Sequence, residues 1–354
     1  MSLRFSRQKR VGSYLLEQQD GTTKEVRLEA EVRRDPLTGR SGRLAHFQGF
    51  ELRRADLGPA IESSRANCPF CPERILRVTP KLPPEVAAGG RISQGEAVLF
   101  PNISPYDRHS VVVVLTSAHF VPPEDFTPTQ VSDGLGAAQA YFRALDPAPA
   151  RTFSLVTWNY MPPAGATQVH AHLQAFSTDR PGSLLEEEVR HSRSFHRRHG
   201  KVFWEALLAE EKGRAERYLG AGRHTAWLVP FVSRSVISEV MAIFPGVTGL
   251  EQLSKAALME FSAGLCAAIA FFAREGVVAF NLALYPSPNG QADDHFWLHA
   301  RLSPRIYFNP SILGSDTTSW QHLLDEPFMV RSPEVLAAAL RPELQGILPG
   351  PEPR

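Results

Sequence analysis

Two short stretches of the sequence carry side chains that could do chemistry. One is NCPFCPE, which places Cys68 and Cys71 in C-x-x-C spacing, and the other is GATQVHAHLQAF, which has two histidines and a glutamine at alternate positions. Two thiolates in C-x-x-C spacing can chelate one zinc ion and supply half of its four ligands. A redox dithiol and a pair of inert thiols are the alternatives, although Pro72 and the polar surroundings indicate a loop and not the helix start typical of a redox motif.

Histidines or carboxylates must supply the two missing ligands. Cys266 lies in an apolar helical stretch and is interpreted as a core residue. His119 and His170 fall at the C-terminal edges of predicted strands, where one shared site is possible. A partly buried histidine that binds nothing is the alternative for each, but a C-x-x-C pair in need of two nitrogens favours a metal site.

The second stretch places three polar side chains on one side of a predicted strand. His170, His172 and Gln174 alternate along the chain, so they project from the same face, while apolar neighbours project from the other. Burial of three polar side chains without partners costs several kcal/mol, so the pattern favours ligand binding. A metal on His170 and a phosphate on the other two would satisfy them, and a purely structural hydrogen-bond network is the alternative.

The composition of the chain limits its partners and its compartment. The 354 residues are 43% hydrophobic, and 38 basic side chains nearly balance 37 acidic ones. This balance provides neither the basic field of a nucleic-acid-binding protein nor a polybasic membrane signal, so we expect no nucleic acid and no membrane partner. We identify no run of about 20 apolar residues. The N-terminus lacks the apolar core of a signal peptide, and the three cysteines fit reducing conditions, which together predict a cytoplasmic protein.

The order of the predicted elements indicates an internal repeat. The order strand, strand, helix, strand, strand occurs once before a charged segment at 181–222 and once after it. At one common spacing, His170 falls on His299 and Val112 falls on Met241. These patterns predict an α/β (α+β) protein of two duplicated half-barrels, each an antiparallel sheet with covering helices. The predicted units are residues 1–180, a helical connector at 181–222 and a second half at 223–345.

Six motifs in a fixed order connect the chain with a known family. They are RRDPLTGR, CPFC followed by RVT, LFPN, SAHF, WNY with GATQVHAHLQ, and FWLHAR. The ordered set, which covers residues 31–340, resembles the galactose-1-phosphate uridylyltransferase family, a branch of the histidine-triad superfamily, with its ADP-glucose phosphorylase-like branch as a candidate subgroup. The resemblance implies that the two halves are histidine-triad-like.

The resemblance also implies a metal site and an assembly. Family members bind structural zinc through the positions that are Cys68, Cys71, His119 and His170 in this sequence. They are commonly homodimers in which the partner chain completes the sugar pocket. We therefore expect zinc as the cofactor and a homodimer as the assembly.

A catalytic residue and several binding residues follow from the same resemblance. The family's nucleophile corresponds to His172, which attacks the α-phosphorus of a nucleotide sugar, forms a nucleotidyl-imidazole and releases a sugar 1-phosphate. The amide of Gln174 would hold a non-bridging phosphoryl oxygen. The positions that contact phosphate or nucleotide in the family correspond to Asn159, Thr167, Arg77 and Asn102.

The chemistry of these side chains agrees with such roles. A neutral imidazole can attack phosphorus when its other nitrogen donates to a fixed acceptor, because the attacking lone pair then faces the substrate. Histidine-triad hydrolases have a third histidine, which can handle a proton, at the position of Gln174. Glutamine cannot do so, and an attacking water molecule would therefore lack a group to remove its proton. An already ionised sugar phosphate or pyrophosphate has little need of such a group. The sequence thus favours transfer over hydrolysis.

The chain departs from the family pattern within the active motif and at a second metal site. The usual Pro and Gly of the motif are Ala171 and Leu173. The paired histidines of the second site are His299 and Arg301 in this chain, and Glu188 lies near the position of the corresponding glutamate. We therefore expect this second site to hold no metal.

The nucleotide and sugar positions depart as well. Ile103 follows FPN where the uridylyl enzymes use an aspartate to hold the ribose. The segment GSDTTSWQHLLDEPF lacks the expected sugar-reading glutamate and glutamine, although Trp320 and Gln321 stand near the expected aromatic and acidic residues. Because of these changes, the sequence does not determine which base and which sugar the substrate contains.

Together, these observations predict a nucleotidyltransferase. It would move a nucleoside monophosphate between sugar 1-phosphates through a covalent nucleotidyl-histidine at His172, with a nucleotide sugar and a sugar 1-phosphate as substrates. An adenylyl-transferring phosphorylase that acts on ADP-glucose or on a dinucleoside polyphosphate is one alternative. A non-catalytic, zinc-stabilised nucleotide-binding protein is the other.

Overall fold

The structure, a computed structural model, describes residues 3–45, 47, 50–145, 151–289, 295–348 and 350. The strands in the first half of the chain are β1 (Ser6–Glu17), β2 (Thr23–Arg34), β3 (Ser41–Leu44), β4 (Ile92–Gln94), β5 (Ala97–Pro101), β6 (His109–Val114), β7 (Phe153–Tyr160) and β8 (His172–Thr178). Those in the second half are β9 (Tyr218–Ala221), β10 (Ala226–Leu228), β11 (Val240–Ile243), β12 (Ala279–Tyr285), β13 (His299–Arg305), β14 (Tyr307–Asn309), β15 (Gly314–Ser315) and β16 (Phe328–Met329). The α-helices are α1 (Gly58–Arg65), α2 (Pro72–Val78), α3 (Pro128–Ala144), α4 (Ser183–His199), α5 (Phe203–Arg214), α6 (Lys255–Arg274), α7 (Ser319–His322) and α8 (Pro333–Gln345).

A ten-stranded sheet forms the centre of the molecule. Its strand order is β4-β5-β6-β8-β7-β12-β13-β11-β10-β9, and neighbouring strands are antiparallel throughout. Five strands come from each half of the chain, and the two sets meet where β7 pairs with β12. The predicted α+β class with antiparallel sheets is confirmed, and the two halves share one continuous sheet. The division into three sequence units stays a prediction.

The register of the sheet corrects the predicted internal alignment. At the predicted spacing, strand β6 of the first half corresponds to β11 of the second half, and Val114 corresponds to Ile243. Val114 pairs with His172, and Ile243 pairs with His299. The predicted match of Val112 with Met241 and that of His170 with His299 therefore cannot both hold. A single spacing fails because the connections between equivalent strands differ in length.

Two long helices cover one face of this sheet. Helix α3 starts at the N-cap Thr127, whose side chain forms a capping box with Gln130, and α6 starts at the N-cap Ser254. Their buried side chains pack against alternate strand residues such as Val113 and Leu173. The other residues of each strand therefore project from the opposite face, which makes that face available for polar side chains.

Helix α6 is the apolar helical stretch around Cys266 that the sequence predicted. Its length and its mean hydropathy of 1.8 would permit a membrane crossing, but 67% of the apolar window is buried inside the protein. A helix that is apolar all round and packed on a sheet is the expected form of a core helix. We therefore assign α6 to the core.

A smaller sheet lies beside the first and has the order β1-β2-β3-β16. Strands β1 and β2 have 12 residues each and form a hairpin that is exposed over most of β1. Its base is held by Arg33, which is 2% exposed and pairs with Glu31 and Glu334 at 3.0 and 2.9 Å. The Arg-rich start of the chain is thus an ordered hairpin with a buried ionic anchor.

Candidate active site and metal centre

Four potential metal ligands meet at one edge of the large sheet. One ligand atom from each of the four residues lies within 4.8 Å of the others: Cys68, Cys71, His119 and His170. The cysteines lie in the loop between α1 and α2, and His119 lies in the loop after β6. His170 precedes β8, so its predicted place at the end of a strand is wrong. The two histidines meet because β6 ends where the antiparallel β8 begins.

The spacing of these atoms fits a tetrahedral metal site. The Sγ of Cys68 lies 3.5 Å from Nδ1 of His170, and the Sγ of Cys71 lies 3.4 and 3.8 Å from Nδ1 of His119 and His170. Bond lengths of zinc to sulfur and nitrogen place tetrahedral ligand atoms about 3.6 Å apart. The donor set of two thiols and two imidazoles is also one that structural zinc prefers.

The outer nitrogen of each histidine has a partner that fixes the ring. Nε2 of His170 lies 2.7 Å from the carbonyl oxygen of Thr116, and Nε2 of His119 lies 3.2 Å from that of Ile61. A carbonyl only accepts, so each Nε2 carries the proton and each Nδ1 turns its lone pair towards the thiols. Such outer hydrogen bonds are the usual support of histidines that bind a metal.

Burial favours the uncharged forms of Cys71 and His170. Burial and the neighbouring Cys68 raise the pKa of the Cys71 thiol to about 11. Burial likewise lowers the pKa of His170 to about 4, so the imidazole is neutral and able to act as a ligand. A bound divalent cation would stabilise the thiolate of Cys71 that burial disfavours. The residues present therefore fit zinc.

His172 lies next to the cluster but makes different contacts. It is the first residue of β8, 8% exposed, and its Nδ1 lies 2.8 Å from the carbonyl oxygen of His170. Nδ1 therefore donates, and the lone pair stays on Nε2. Burial lowers the pKa of His172, which favours the neutral ring. The ring of Phe70, from the C-x-x-C loop, packs edge-on against the imidazole at 5.2 Å between centroids.

Further polar residues share the sheet face of His172. Gln174 follows on β8, and Thr157 of β7 pairs with it. Asn159 lies two residues beyond Thr157, on the same face of β7. These four residues, His172, Gln174, Thr157 and Asn159, form a short polar strip. It extends from the start of β8 towards the place where β7 pairs with β12.

The remaining predicted binding residues lie in loops and on a short helix. Thr167, in the loop ahead of β8, and Arg77, in α2, are both exposed. Asn102 follows β5, and its Oδ1 accepts a hydrogen bond of 2.9 Å from the backbone N–H of Ser104, so the side chain shapes its own turn. The binding roles of these residues stay predictions.

Solved structures with the same architecture are galT-like. A galT-like protein from Arabidopsis thaliana superposes with a TM-score of 0.68, at 16% identity, over 88% of this chain and 98% of that one. The chain has the galT-like fold. An ADP-glucose phosphorylase from the same plant, with bound ADP-glucose, gives the same values, and a uridylyltransferase gives 0.63 at 19% identity over 90% of this chain and 99% of that one. The predicted resemblance is thus confirmed at the level of the fold.

Sequence comparison adds one distant relative. An uncharacterized protein from Archaeoglobus fulgidus is 28% identical over 278 residues, which cover 78% of this chain and 82% of that protein. No protein-family profile matches the chain. The galT-like fold therefore rests on the architecture, together with the motifs that are distributed along the sequence.

The second half of the galT-like fold contains a buried ionic cluster. Arg301 lies 2.7 Å from a carboxylate oxygen of Glu188 and 2.7 Å from one of Glu239, and Nε2 of His299 lies 3.3 Å from Glu188. Burial alone would raise the pKa of Glu188, but Arg301 and His299 hold this pKa below its usual value. A guanidinium between two carboxylates supplies the positive charge in this cluster. This agrees with the expectation that no metal binds here, which stays a prediction.

Arg301→Met is expected to destabilise the protein by about 3–5 kcal/mol, because it leaves two buried carboxylates without a cation. The change can be measured by urea unfolding. Arg274→Met is a matched control, since Arg274 pairs with Glu343 at the surface and such pairs contribute about 0–1 kcal/mol. Equal effects of the two substitutions would contradict a structural role for the buried guanidinium.

Sequence reasoning missed several polar residues of the site face. Asn281 interrupts the apolar strand β12, and its alternation with buried neighbours could have identified it. Arg305 and Asp316 form an ion pair that joins β13 to a later loop, and Glu239 completes the ionic cluster. These contacts depend on strand pairing between distant segments, for which the local sequence has no signal.

Proposed function

We propose that the protein is a nucleotidyltransferase in which His172 carries the nucleotide as a covalent intermediate. The observation behind this proposal is the contact of its Nδ1 with the carbonyl oxygen of His170, which directs the ring's lone pair to Nε2. The galT-like fold supports the assignment because solved structures of this fold include a uridylyltransferase and an ADP-glucose phosphorylase.

The reaction divides into two displacements at phosphorus. In the first, Nε2 of His172 attacks the α-phosphorus of a nucleotide sugar, and the bond from phosphorus to the bridging oxygen breaks to release a sugar 1-phosphate. The ring then carries a positive charge, which the hydrogen bond from Nδ1 to the carbonyl of His170 stabilises. In the second, an oxygen of an ionised acceptor attacks phosphorus, and His172 leaves as neutral imidazole with the proton still on Nδ1.

Gln174 is the proposed partner of a phosphoryl oxygen. Its side chain projects from the same face of β8 as His172, and it is half-buried. The amide N–H can donate to the oxygen on which charge develops, but the amide cannot remove a proton from water. An acceptor that arrives ionised, such as a sugar 1-phosphate or inorganic phosphate, therefore reacts in preference to water.

Zinc in the four-residue cluster is proposed as a structural cofactor. When bound, it would tie the C-x-x-C loop to the two histidines and stabilise thiolates at Cys68 and Cys71. His170 would then be fixed by Nδ1 on one side and by the carbonyl of Thr116 on the other. The backbone carbonyl of His170 would in turn hold the ring of His172. The metal would therefore affect the reaction indirectly, by fixing the carbonyl that orients His172.

Two donors remain candidates for the transferred group. A uridylyl group is the first, in line with the resemblance of the ordered motifs to the uridylyltransferase family. An adenylyl group is the second, because Ile103 is 84% exposed beside Asn102 and has no carboxylate to hold a ribose. An adenylyl donor would make the protein a phosphorylase, with inorganic phosphate as the acceptor.

Incubation with a donor labelled at the α-phosphate distinguishes these candidates. We expect UDP-glucose or ADP-glucose, but not both to the same extent, to leave acid-labile label on the protein, because a phosphorus–nitrogen bond to imidazole hydrolyses readily in acid. Label is counted after denaturing gel filtration, and inorganic phosphate and glucose 1-phosphate are then added as acceptors. Label from neither donor would contradict the proposal and would favour the non-catalytic nucleotide-binding protein.

A further inference from the structure

A chain of hydrogen bonds crosses the seam between the two halves of the sheet and ends at Asn159. We propose that Arg305, acting through Asn281, fixes the side-chain amide of Asn159 so that its NH2 group, and not its oxygen, faces the phosphate. This inference rests on the proposed function, and it assigns Arg305 and Asn281 as positioning residues of the same site.

The chain begins at a guanidinium that is locked in place. Nε of Arg305 donates to both carboxylate oxygens of Asp316 at 3.0 Å, and Nη2 donates to the first of them at 2.5 Å. Asp316 is 3% exposed and also accepts a hydrogen bond of 3.0 Å from the backbone N–H of Ile306. Because one side of the guanidinium is held by the carboxylate, Nη1 is directed to Asn281 at 2.9 Å.

The orientation of Asn281 follows from what its partners can do. A guanidinium has only donors, so the amide oxygen of Asn281 must face Arg305. The NH2 group then faces the other way, where it donates to Oδ1 of Asn159 at 2.7 Å and to the carbonyl oxygen of Ala164 at 2.8 Å. The carbonyl of Ala164 only accepts, so partners on both sides of Asn281 require the same orientation.

The orientation of Asn159 is the consequence that matters for a ligand. Since Oδ1 of Asn159 accepts from Asn281, its NH2 group is the part left to face the polar strip of His172 and Gln174. Phosphoryl oxygens only accept hydrogen bonds. A reversed Asn159 amide would place its oxygen against the phosphoryl oxygens. The phosphate would then lose a hydrogen bond and be repelled by the amide oxygen.

Asn281→Asp tests the inference with almost no change in shape. The carboxylate still accepts from Arg305, but it cannot donate to Asn159, whose amide is then expected to turn and present its oxygen to the phosphate. We expect the rate of His172 labelling at subsaturating donor, and the affinity for ADP or UDP measured by calorimetry, to fall about 10- to 100-fold. Gln18→Glu, the same chemical change at the exposed β1–β2 turn, is the matched control and should match the wild type.

A double-mutant cycle separates positioning from direct repulsion by the new carboxylate. In an Asn159→Ala background, Asn281→Asp should cost less than about 3-fold, because the amide through which it acts is gone. An undiminished loss of labelling and affinity in that background would overturn the proposed relay, by which we mean the hydrogen-bond chain from Arg305 through Asn281 to Asn159. Wild-type labelling and affinity in Asn281→Asp alone would overturn it as well. Thermal unfolding of each variant shows whether the fold is kept, and a loss that followed stability alone would also overturn it.

Failure of the relay and failure of the proposed function give different results. If the wild type is labelled but Asn281→Asp is unaffected, the relay is wrong and the function stands. If the wild type is not labelled but binds ADP or UDP, the function fails, and the calorimetric comparison of the variants still decides the relay. If the wild type binds neither nucleotide, both are wrong.

Discussion

His172→Ala is expected to lower nucleotidyl transfer by about 10⁴-fold or more, because it removes the proposed nucleophile and leaves no other imidazole at the same place. Covalent label from the true donor should disappear completely. The measurement is the single-turnover labelling rate, followed by transfer to the acceptor under steady-state conditions. Zinc content should stay at about one ion per chain, since Nδ1 of His172 contacts the backbone of His170 and His172 is not among the four candidate ligands.

The control for this substitution is His191→Ala. His191 lies on α4, is partly exposed, and its Nε2 is 3.9 Å from Glu187; it belongs to neither the four-residue cluster nor the strand of His172. It should label like the wild type. Labelling that persists in His172→Ala would contradict the nucleophile, and loss of zinc in that variant would mean that the division between ligand and nucleophile is wrong.

Cys68→Ser is expected to abolish zinc binding and to destabilise the protein. Cys68 is 2% exposed and contributes one of the two thiolates, and a serine hydroxyl does not replace a thiolate as a zinc ligand. At free zinc about 1,000 times the dissociation constant, the lost binding corresponds to about 4 kcal/mol of unfolding free energy. Elemental analysis gives the zinc content, and urea unfolding with and without a chelator gives the stability.

Cys266→Ser provides a matched control, since Cys266 is a buried thiol of α6 that lies outside the four-residue cluster. It should keep one zinc per chain and cost about 1–3 kcal/mol for burial of a hydroxyl. Chelator should destabilise Cys266→Ser and the wild type alike, but should not affect Cys68→Ser. Zinc retained in Cys68→Ser, or lost in Cys266→Ser, would contradict the ligand assignment.

The parts of the site that the sequence predicted are those with local patterns. Alternation placed His172 and Gln174 on one strand face, and C-x-x-C spacing identified two of the four candidate ligands, because both patterns depend on a few consecutive residues. The meeting of His119 with His170 was predicted as possible, and the antiparallel pairing of β6 and β8 explains why it occurs.

The parts that escaped prediction depend on register between distant strands. The predicted match of His170 with His299 conflicts with that of Val112 with Met241 once the strand register is known, because a slip by two residues keeps every apolar side chain on the same face. The contact of Asn281 with Asn159 depends likewise on the pairing of β7 with β12. Periodicity in a single segment contains no information about such pairings.

The burial of His299 in the second half of the sheet has a consequence for stoichiometry. His299 is fully buried, lies 3.3 Å from Glu188, and its ring is 4.1 Å from that of Trp204 and 4.9 Å from that of Tyr285, measured between centroids. Its imidazole is enclosed by protein and has no room for an incoming phosphate. Although both halves of the described sheet contain a histidine at this kind of position, only His172 is proposed as a nucleophile, and we expect saturation at one nucleotide per polypeptide.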